Sequence, residues 1–198
     1  MRNWGATKAE CRAVLPGDEF VPEPAGAITR AVTIEAPADE VWPWLVQIGQ
    51  DRGGMYGYER LENAVGLDIH NADEIRPEWQ HLAVGDEVRL VRRGWLGIPE
   101  GLALEVGRIE PGRSIVLLEE PRHAVWSFHI RPHGPQRCRL ISRSRSPRAR
   151  GVARVTAEVL DPITMVMTRK MLLGIKARAQ RSAQAGRPAP LPKHCGVG

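Results

Sequence analysis

Hydrophobic and polar residues alternate in several short segments of this chain, which is the pattern of half-buried β-strands. In residues 28–35 the aliphatic side chains fall on one parity, and threonines and a glutamate fall on the other. Further alternating segments, separated by Gly and Pro turn signals, cover residues 87–92, 102–109, 114–119, 124–130 and 137–146. The intervals between them are short, so the sequence predicts an antiparallel meander.

Two short helices are predicted between the first strand and the meander. Pro37 and the two carboxylates that follow it favour the start of the first helix. A glycine pair then separates it from a second helical pattern over residues 56–65. The predicted apolar side of the second helix consists of Tyr58, Leu61 and Val65.

The strongest helical pattern lies near the end of the chain, from Asp161 to Arg181. Asp161 is a good N-cap, and Pro162 suits the first helical position. A curved antiparallel sheet has a concave face that must be covered, and only this helix is long enough to cover it. The predicted fold class is therefore α+β, with a curved antiparallel sheet wrapped around a long C-terminal helix.

The 198 residues fit one domain with terminal extensions. Residues 1–26 are polar and rich in turn signals, and we expect them to form a leader packed on a domain of residues 27–182. Residues 183–198 are predicted to be a disordered tail. No apolar segment resembles a signal peptide or a membrane span, so a cytoplasmic location is expected, with free thiols at Cys11, Cys138 and Cys195.

Charge is distributed unevenly along the chain. Up to Pro121 there are 12 Lys and Arg against 21 Asp and Glu, whereas from Arg122 onward there are 16 against 2. The basic half is consistent with an adaptor or a protein that binds an anionic surface. The favoured alternative is that basic strands pair with acidic segments inside one fold. No basic run contains interleaved aromatic residues, so nucleic acid is not an expected partner.

Several motifs spread over nearly all of the chain up to about Arg181 carry a resemblance to a known superfamily. They include Ala36-Pro-Ala-Asp-Glu-Val-Trp42, Arg52-Gly-Gly-Met-Tyr-Gly-Tyr58, Arg76-Pro-Glu-Trp-Gln80 and Met171-Leu-Leu-Gly-Ile-Lys176. Together they resemble a bacterial branch of the SRPBCC superfamily, the START-like or helix-grip proteins that include polyketide cyclases and lipid-transfer domains. The resemblance implies a helix-grip fold with a hydrophobic cavity, and it does not fix the ligand.

Candidate ligand-binding residues form two groups. The first surrounds the predicted short helices and the loop after them, where a helix-grip fold opens its cavity; it consists of Gln47, Tyr56, Tyr58, Trp79 and Gln80. The second would line the cavity floor if its members face the terminal helix; it consists of Trp126, Phe128, Leu140, Met167, Met171 and Ile175. All of these also suit a plain core, and Trp79 suits it better than it suits a ligand site.

Three residues are candidates for catalysis. Tyr56 and Glu59 could position or protonate a substrate, and Glu59 would then need a pKa raised by burial. Arg143 could point inward to bind a carboxylate or phosphate, although a solvated outer face suits an arginine better. The histidines show no metal-binding or catalytic spacing, and the glycine pair is too short for a phosphate loop, so no metal and no cofactor are expected.

The favoured function is the binding of a hydrophobic or aromatic small molecule, lipid or polyketide-like, in an internal cavity. One alternative is a cyclase-type or dehydrase-type enzyme that acts on such a ligand. The other is an adaptor that uses the basic C-terminal half. The expected partner is an apolar small molecule, and the chain is expected to be a monomer or a homodimer.

Overall fold

A six-stranded antiparallel sheet forms the centre of the molecule. The structure, a computed structural model, describes residues 3–120, 124–147 and 152–185, and of residues 152–161 it describes the backbone alone. The strands are β1 (Gly26–Ile34), β2 (Glu87–Val91), β3 (Leu102–Glu110), β4 (Ser114–Glu119), β5 (Ala124–Pro132) and β6 (Cys138–Ser146). Their order is β1-β6-β5-β4-β3-β2, so the predicted meander pairs its last strand with the first strand of the chain.

Irregular pairing on both sides of β3 bends the sheet. The register shifts between Arg89 and Val91 on β2 and between Val106 and Arg108 on β3. Such bulges increase the local twist and curl the strands. The predicted fold class is therefore confirmed: the curved sheet holds a long C-terminal helix in the helix-grip arrangement.

The helices are α1 (Lys8–Arg12), α2 (Ala38–Val46), α3 (Glu59–Ala64) and α4 (Val152–Ala185). The prediction that the terminal helix begins at Asp161 is wrong, because α4 begins earlier and Pro162 lies inside it. Proline costs an interior helix one hydrogen bond but does not prevent it from continuing. Of the predicted tail, residues 183–185 belong to α4, and the remainder lies outside the described residues.

The main core lies between the concave face of the sheet and the helices α2 and α4. Trp44 and Leu45 of α2 pack there against Leu172 of α4. Gly174 allows α4 to lie directly against the backbone of Tyr56, since a Cβ at this glycine would collide with the Tyr56 carbonyl oxygen. No helix in the described part of the chain has the length and apolarity needed to cross a bilayer.

The convex face of the sheet is covered by the N-terminal leader, of which residues 3–26 are described. Leu15 packs against Ala31 and Ile141, and Val21 packs against Val116 and Val125. Both contacts bury side chains of the parity that faces away from α4. The sheet is therefore covered on both faces.

Ion pairs join the acidic and basic halves of the chain across this fold. Glu10 of the leader binds Arg139 at 2.7 Å, and Asp73 binds Arg178 of α4 at 3.0 Å. Asp18 binds Arg143 at 2.7 Å beneath the leader. Charges that lie far apart in the sequence thus neutralise one another in space.

Candidate functional site

A cavity of about 520 Å³ lies between α4 and one end of the sheet. It sits where β2, β4 and β6 end and where β3 and β5 begin. The end of the sheet contributes Val91, Leu102, Glu119, Ala124 and Ser146 to its lining. The opposite wall is the part of α4 from Ile163 to Met171. The cavity therefore occupies the space that the helix and the curved sheet leave unfilled.

The lining is mostly apolar, and three of its residues belong to the set predicted from the sequence. These are Trp126 of β5 and Met167 and Met171 of α4. The indole of Trp126 is fixed by its hydrogen bond to the Ser142 hydroxyl at 2.8 Å. Other apolar side chains in the lining are Met55, Leu67, Ile69, Leu90 and Leu104.

Glu62 of α3 contributes a carboxyl group to this lining. The residue is only 2% exposed, and its Oε1 accepts a hydrogen bond from the Tyr58 backbone N–H at 3.2 Å. Its Oε2 has no hydrogen-bond partner among the described residues. Burial raises the pKa of this carboxyl above the ordinary value of 4.5, because the charged form is less well solvated.

The inward direction of Glu62 reverses the predicted orientation of α3. Leu61 is 60% exposed and Val65 is 53% exposed, so the predicted apolar side faces solvent, which corrects that prediction. The chain enters α3 through Gly57, which lies against the Glu62 carboxyl so closely that a Cβ there would collide with Oε1. The entry path therefore fixes the orientation of this short helix, and its apolar side chains do not.

Two asparagines hold the segments on either side of α3. Asn71 accepts a hydrogen bond from the Tyr56 N–H at 2.6 Å, where the Tyr56 backbone has a left-handed φ of 51°. Asn63 binds both the N–H and the carbonyl of Ile69, at 2.7 Å and 2.8 Å. These bonds place Ile69 in the cavity wall and keep Glu62 beside it.

Hydroxyl groups supply the other polar contacts of the helical wall. Thr168 donates to the Thr164 carbonyl at 2.7 Å and accepts from the Arg30 guanidinium at 3.1 Å. Arg30 is itself buried on the concave side of β1, where it pairs in register with Ser142. Ser144 of β6 is also part of the lining.

The predicted portal residues Gln47, Gln80 and Trp79 lie outside this lining and hold a loop in place. The Gln47 side chain donates to the Glu74 carbonyl at 3.1 Å and accepts from Gln80 at 3.2 Å. Arg52 donates to the Trp79 carbonyl. The side chains of Gln47 and Gln80, together with the backbone carbonyl of Trp79, thus fasten residues 74–80 to α2 and the loop that follows it.

Tyr56, Tyr58 and Glu59 also lie outside the lining. The buried Tyr56 hydroxyl donates to the Trp44 carbonyl at 3.0 Å, and burial raises the pKa of this phenol far above its ordinary value. Tyr58 is exposed on the surface beside Lys170, whose ammonium lies 5.4 Å from the ring centroid. Glu59 accepts from the Asn71 N–H at 2.9 Å and faces solvent.

Phe128, Leu140 and Ile175 face α4 or the sheet from the predicted side, but they lie deeper, in the main core. Arg143 is on the convex face as expected, yet the expectation that it is solvated is wrong. Its guanidinium is buried under the leader, where it binds Asp18 and the Ala13 carbonyl, each at 2.7 Å. An acidic leader segment is what allows an arginine to be buried there.

Sequence reasoning missed Glu62 as a candidate. The available signal was the nearby Gly57, which leaves room for a larger side chain. No group of three or more His, Cys, Asp or Glu residues that could hold a metal ion occurs within the described ranges.

Comparison with known proteins supports the fold but identifies neither a family nor a function. A scan against protein-family models and a search of curated proteins gave no match. A protein from Thermobifida fusca, solved by NMR, aligns with a TM-score of 0.50 at 18% identity, over 78% of this chain and 93% of that one. At that identity the likeness supports the fold alone.

Two further solved structures align less closely. Truncated norcoclaurine synthase from Thalictrum flavum has a TM-score of 0.43 at 12% identity, over 82% of this chain and 95% of that one. CalC, a self-sacrificing resistance protein from Micromonospora echinospora, has a TM-score of 0.47 at 8% identity, over 79% of this chain and 96% of that one.

Proposed function

We propose that the protein binds a hydrophobic small molecule in the cavity between α4 and the end of the sheet. The observation that carries this proposal is the cavity itself, with a volume of about 520 Å³ and a lining dominated by Met, Leu, Ile and Trp side chains. Pockets for small molecules typically have volumes of about 300–1,000 Å³, apolar walls and a few placed polar groups. This cavity has all three properties.

A packing defect does not account for a space of this size. Protein interiors are packed as densely as organic crystals, and their voids are seldom larger than a water molecule. An empty cavity lined by Leu104, Met167 and Met171 forfeits dispersion contacts and costs stability. A ligand that fills it with apolar groups restores those contacts. We infer a lipid-like or polyketide-like ligand from this chemistry and from the motifs that resemble helix-grip proteins.

The alternatives receive less support. Of the three catalytic candidates, Tyr56 and Arg143 are engaged in buried structural contacts, and Glu59 binds a backbone N–H at the surface. For the adaptor hypothesis, Arg139 and Arg178 of the basic half are paired with carboxylates of the acidic half. Neither set of residues is presented to a substrate or an anionic surface.

Fluorescence titration with N-phenyl-1-naphthylamine, a neutral apolar probe, tests the proposal. The wild-type protein should bind it saturably. Met167→Trp fills part of the cavity and should weaken binding about tenfold, a loss of roughly 1.4 kcal/mol. Met165→Trp is the matched control, because Met165 lies two residues away on α4 and outside the lining. Its affinity should stay within about twofold of the wild type.

Two results would count against the proposal. One is the absence of saturable binding to the wild-type protein. The other is an equal loss of affinity in both tryptophan variants, which would place the probe on the surface of α4 and not in the cavity.

A further inference from the structure

Glu62 is a buried acid whose second oxygen is left without a partner. Its Oε1 accepts the Tyr58 N–H, whereas Oε2 has no hydrogen bond to any described residue. The group lies in the cavity lining and is 2% exposed. A buried carboxyl oxygen without a donor is costly, so such a group indicates either a ligand or a stored instability.

Arg145, the cationic residue in the described lining, does not neutralise Glu62. Arg145 is engaged on the other side of the sheet, where it binds Asp18 at 3.1 Å and the Val21 carbonyl at 3.0 Å. Burial accordingly raises the pKa of the Glu62 carboxyl, and nearby Glu59 adds to the effect. Among the described residues Glu62 thus has neither an ion-pair partner nor a donor to its Oε2.

We propose that Glu62 recognises a basic amine at one end of the ligand, so that the ligand class is an apolar body carrying an ammonium group. This inference rests on the proposed function. An ammonium supplies both the missing charge and the missing donor, and charge-assisted hydrogen bonds are about twice as strong as neutral ones. The apolar walls contributed by Leu104, Trp126 and Met171 would then hold the remainder of the ligand.

The contact with Tyr58 gives Glu62 a structural role that must be separated from recognition. That contact uses Oε1 as an acceptor at the start of α3. Glutamine keeps an acceptor oxygen of the same shape but has no charge. Glu62→Gln therefore preserves the structural contact and removes the group that would pair with an amine.

Calorimetric titration with three probes of the same chain length tests the inference at neutral pH: n-decylamine, n-decanol and n-decanoate. We expect the wild-type protein to bind decylamine at least about tenfold more tightly than decanol, and decanoate most weakly, as follows from a charged hydrogen bond. Glu62→Gln should remove the preference for the amine, so that decylamine and decanol bind with affinities within about twofold of each other.

Glu78→Gln provides the matched control, because it removes the same charge from an exposed side chain that faces Arg76 at 4.0 Å, outside the lining. It should leave all three affinities unchanged. If decanol binds but decylamine has no advantage, or if Glu62→Gln keeps the advantage, the amine inference is wrong and the cavity function stands. If none of the probes binds, the cavity function fails and the inference fails with it.

Discussion

Replacement of Arg143 with methionine would remove the charged centre of the contact between the leader and the sheet. The guanidinium of Arg143 donates to Asp18 and to the Ala13 carbonyl at 2.7 Å each, and to the Thr29 hydroxyl at 3.2 Å. The side chain is only 3% exposed, so water cannot easily take over these bonds. Methionine keeps the apolar stem and offers no donor.

The expected loss is large. Removal of one partner from a buried ion pair typically costs about 3–5 kcal/mol, because the other charge stays buried without compensation. Asp18 would retain the Leu15 N–H and Arg145, which places this variant near 3 kcal/mol, the lower end of that range. Natural domains have total stabilities of about 5–15 kcal/mol. The variant should therefore lose a considerable fraction of its stability.

Two measurements follow this loss. Urea unfolding monitored by tryptophan fluorescence gives the free energy of unfolding, and native-state trypsin digestion after Arg12 reports release of the leader. Arg137→Met is the matched control, because Arg137 precedes the same strand and pairs with Glu35 at 2.8 Å on the surface. Exposed pairs contribute about 0–1 kcal/mol, so the control should unfold nearly as the wild type does.

A double variant tests whether the stability is lost because Asp18 is left buried without Arg143. If the buried charge is the cause, Asp18→Leu combined with Arg143→Met should be more stable than Arg143→Met alone, because no carboxylate remains buried without its partner. A loss below about 1 kcal/mol in Arg143→Met, with unchanged cleavage after Arg12, would refute the reasoning.

Three other measurements test separate parts of the structure. Burial and the nearby Arg143 lower the pKa of His129 from 6.5 to about 4. As pH falls from 6.5 to 4, the imidazole is therefore protonated in the unfolded chain before it is protonated in the folded chain, and the wild type's free energy of unfolding should fall by on the order of 3 kcal/mol. His129→Gln should lose less in the same urea titrations. Glu62 has a raised pKa, so the cost of burying its charge is absent below about pH 4.5 and is complete above the folded pKa. The thermal stability of Glu62→Gln should therefore increase relative to that of the wild type as pH rises from 4.5 to 7, and a constant difference would contradict this. Gly174→Ala should cost about 1–3 kcal/mol in urea unfolding, because the new Cβ collides with the carbonyl of Tyr56, and a neutral effect would show that α4 shifts freely.

The strands could be predicted from the sequence because alternation directly reports which face of a sheet a side chain occupies. It does not report how far along the strand the cavity lies. Trp126, Phe128 and Leu140 share one face, and the register pairs Phe128 with Ser142 and Trp126 with Ser144. Only Trp126 is near enough to the end of the sheet to reach the cavity. Depth depends on where α4 crosses the sheet, which is a tertiary property.

The predicted orientation of α3 and the predicted start of α4 were wrong for different reasons. The six residues of α3 make fewer than two turns, too few for periodicity to outweigh the constraints from Gly57 and Asn71. For α4, a strong local signal at Asp161 and Pro162 was misleading, because one lost hydrogen bond is offset by continued helix on both sides. Local signals predict where a helix can begin and do not decide where it does.

The leader also has a consequence for the order of events during synthesis. Arg143, the partner of Asp18, is synthesised 125 residues after it, on the last strand of the sheet. The buried ion pair of Asp18 therefore cannot form until β6 has been made, because Arg143 lies on that strand. Closing the long loop between Asp18 and Arg143 costs only slightly more entropy than closing a loop of half that length. The leader is thus among the last segments of the fold to complete its native contacts.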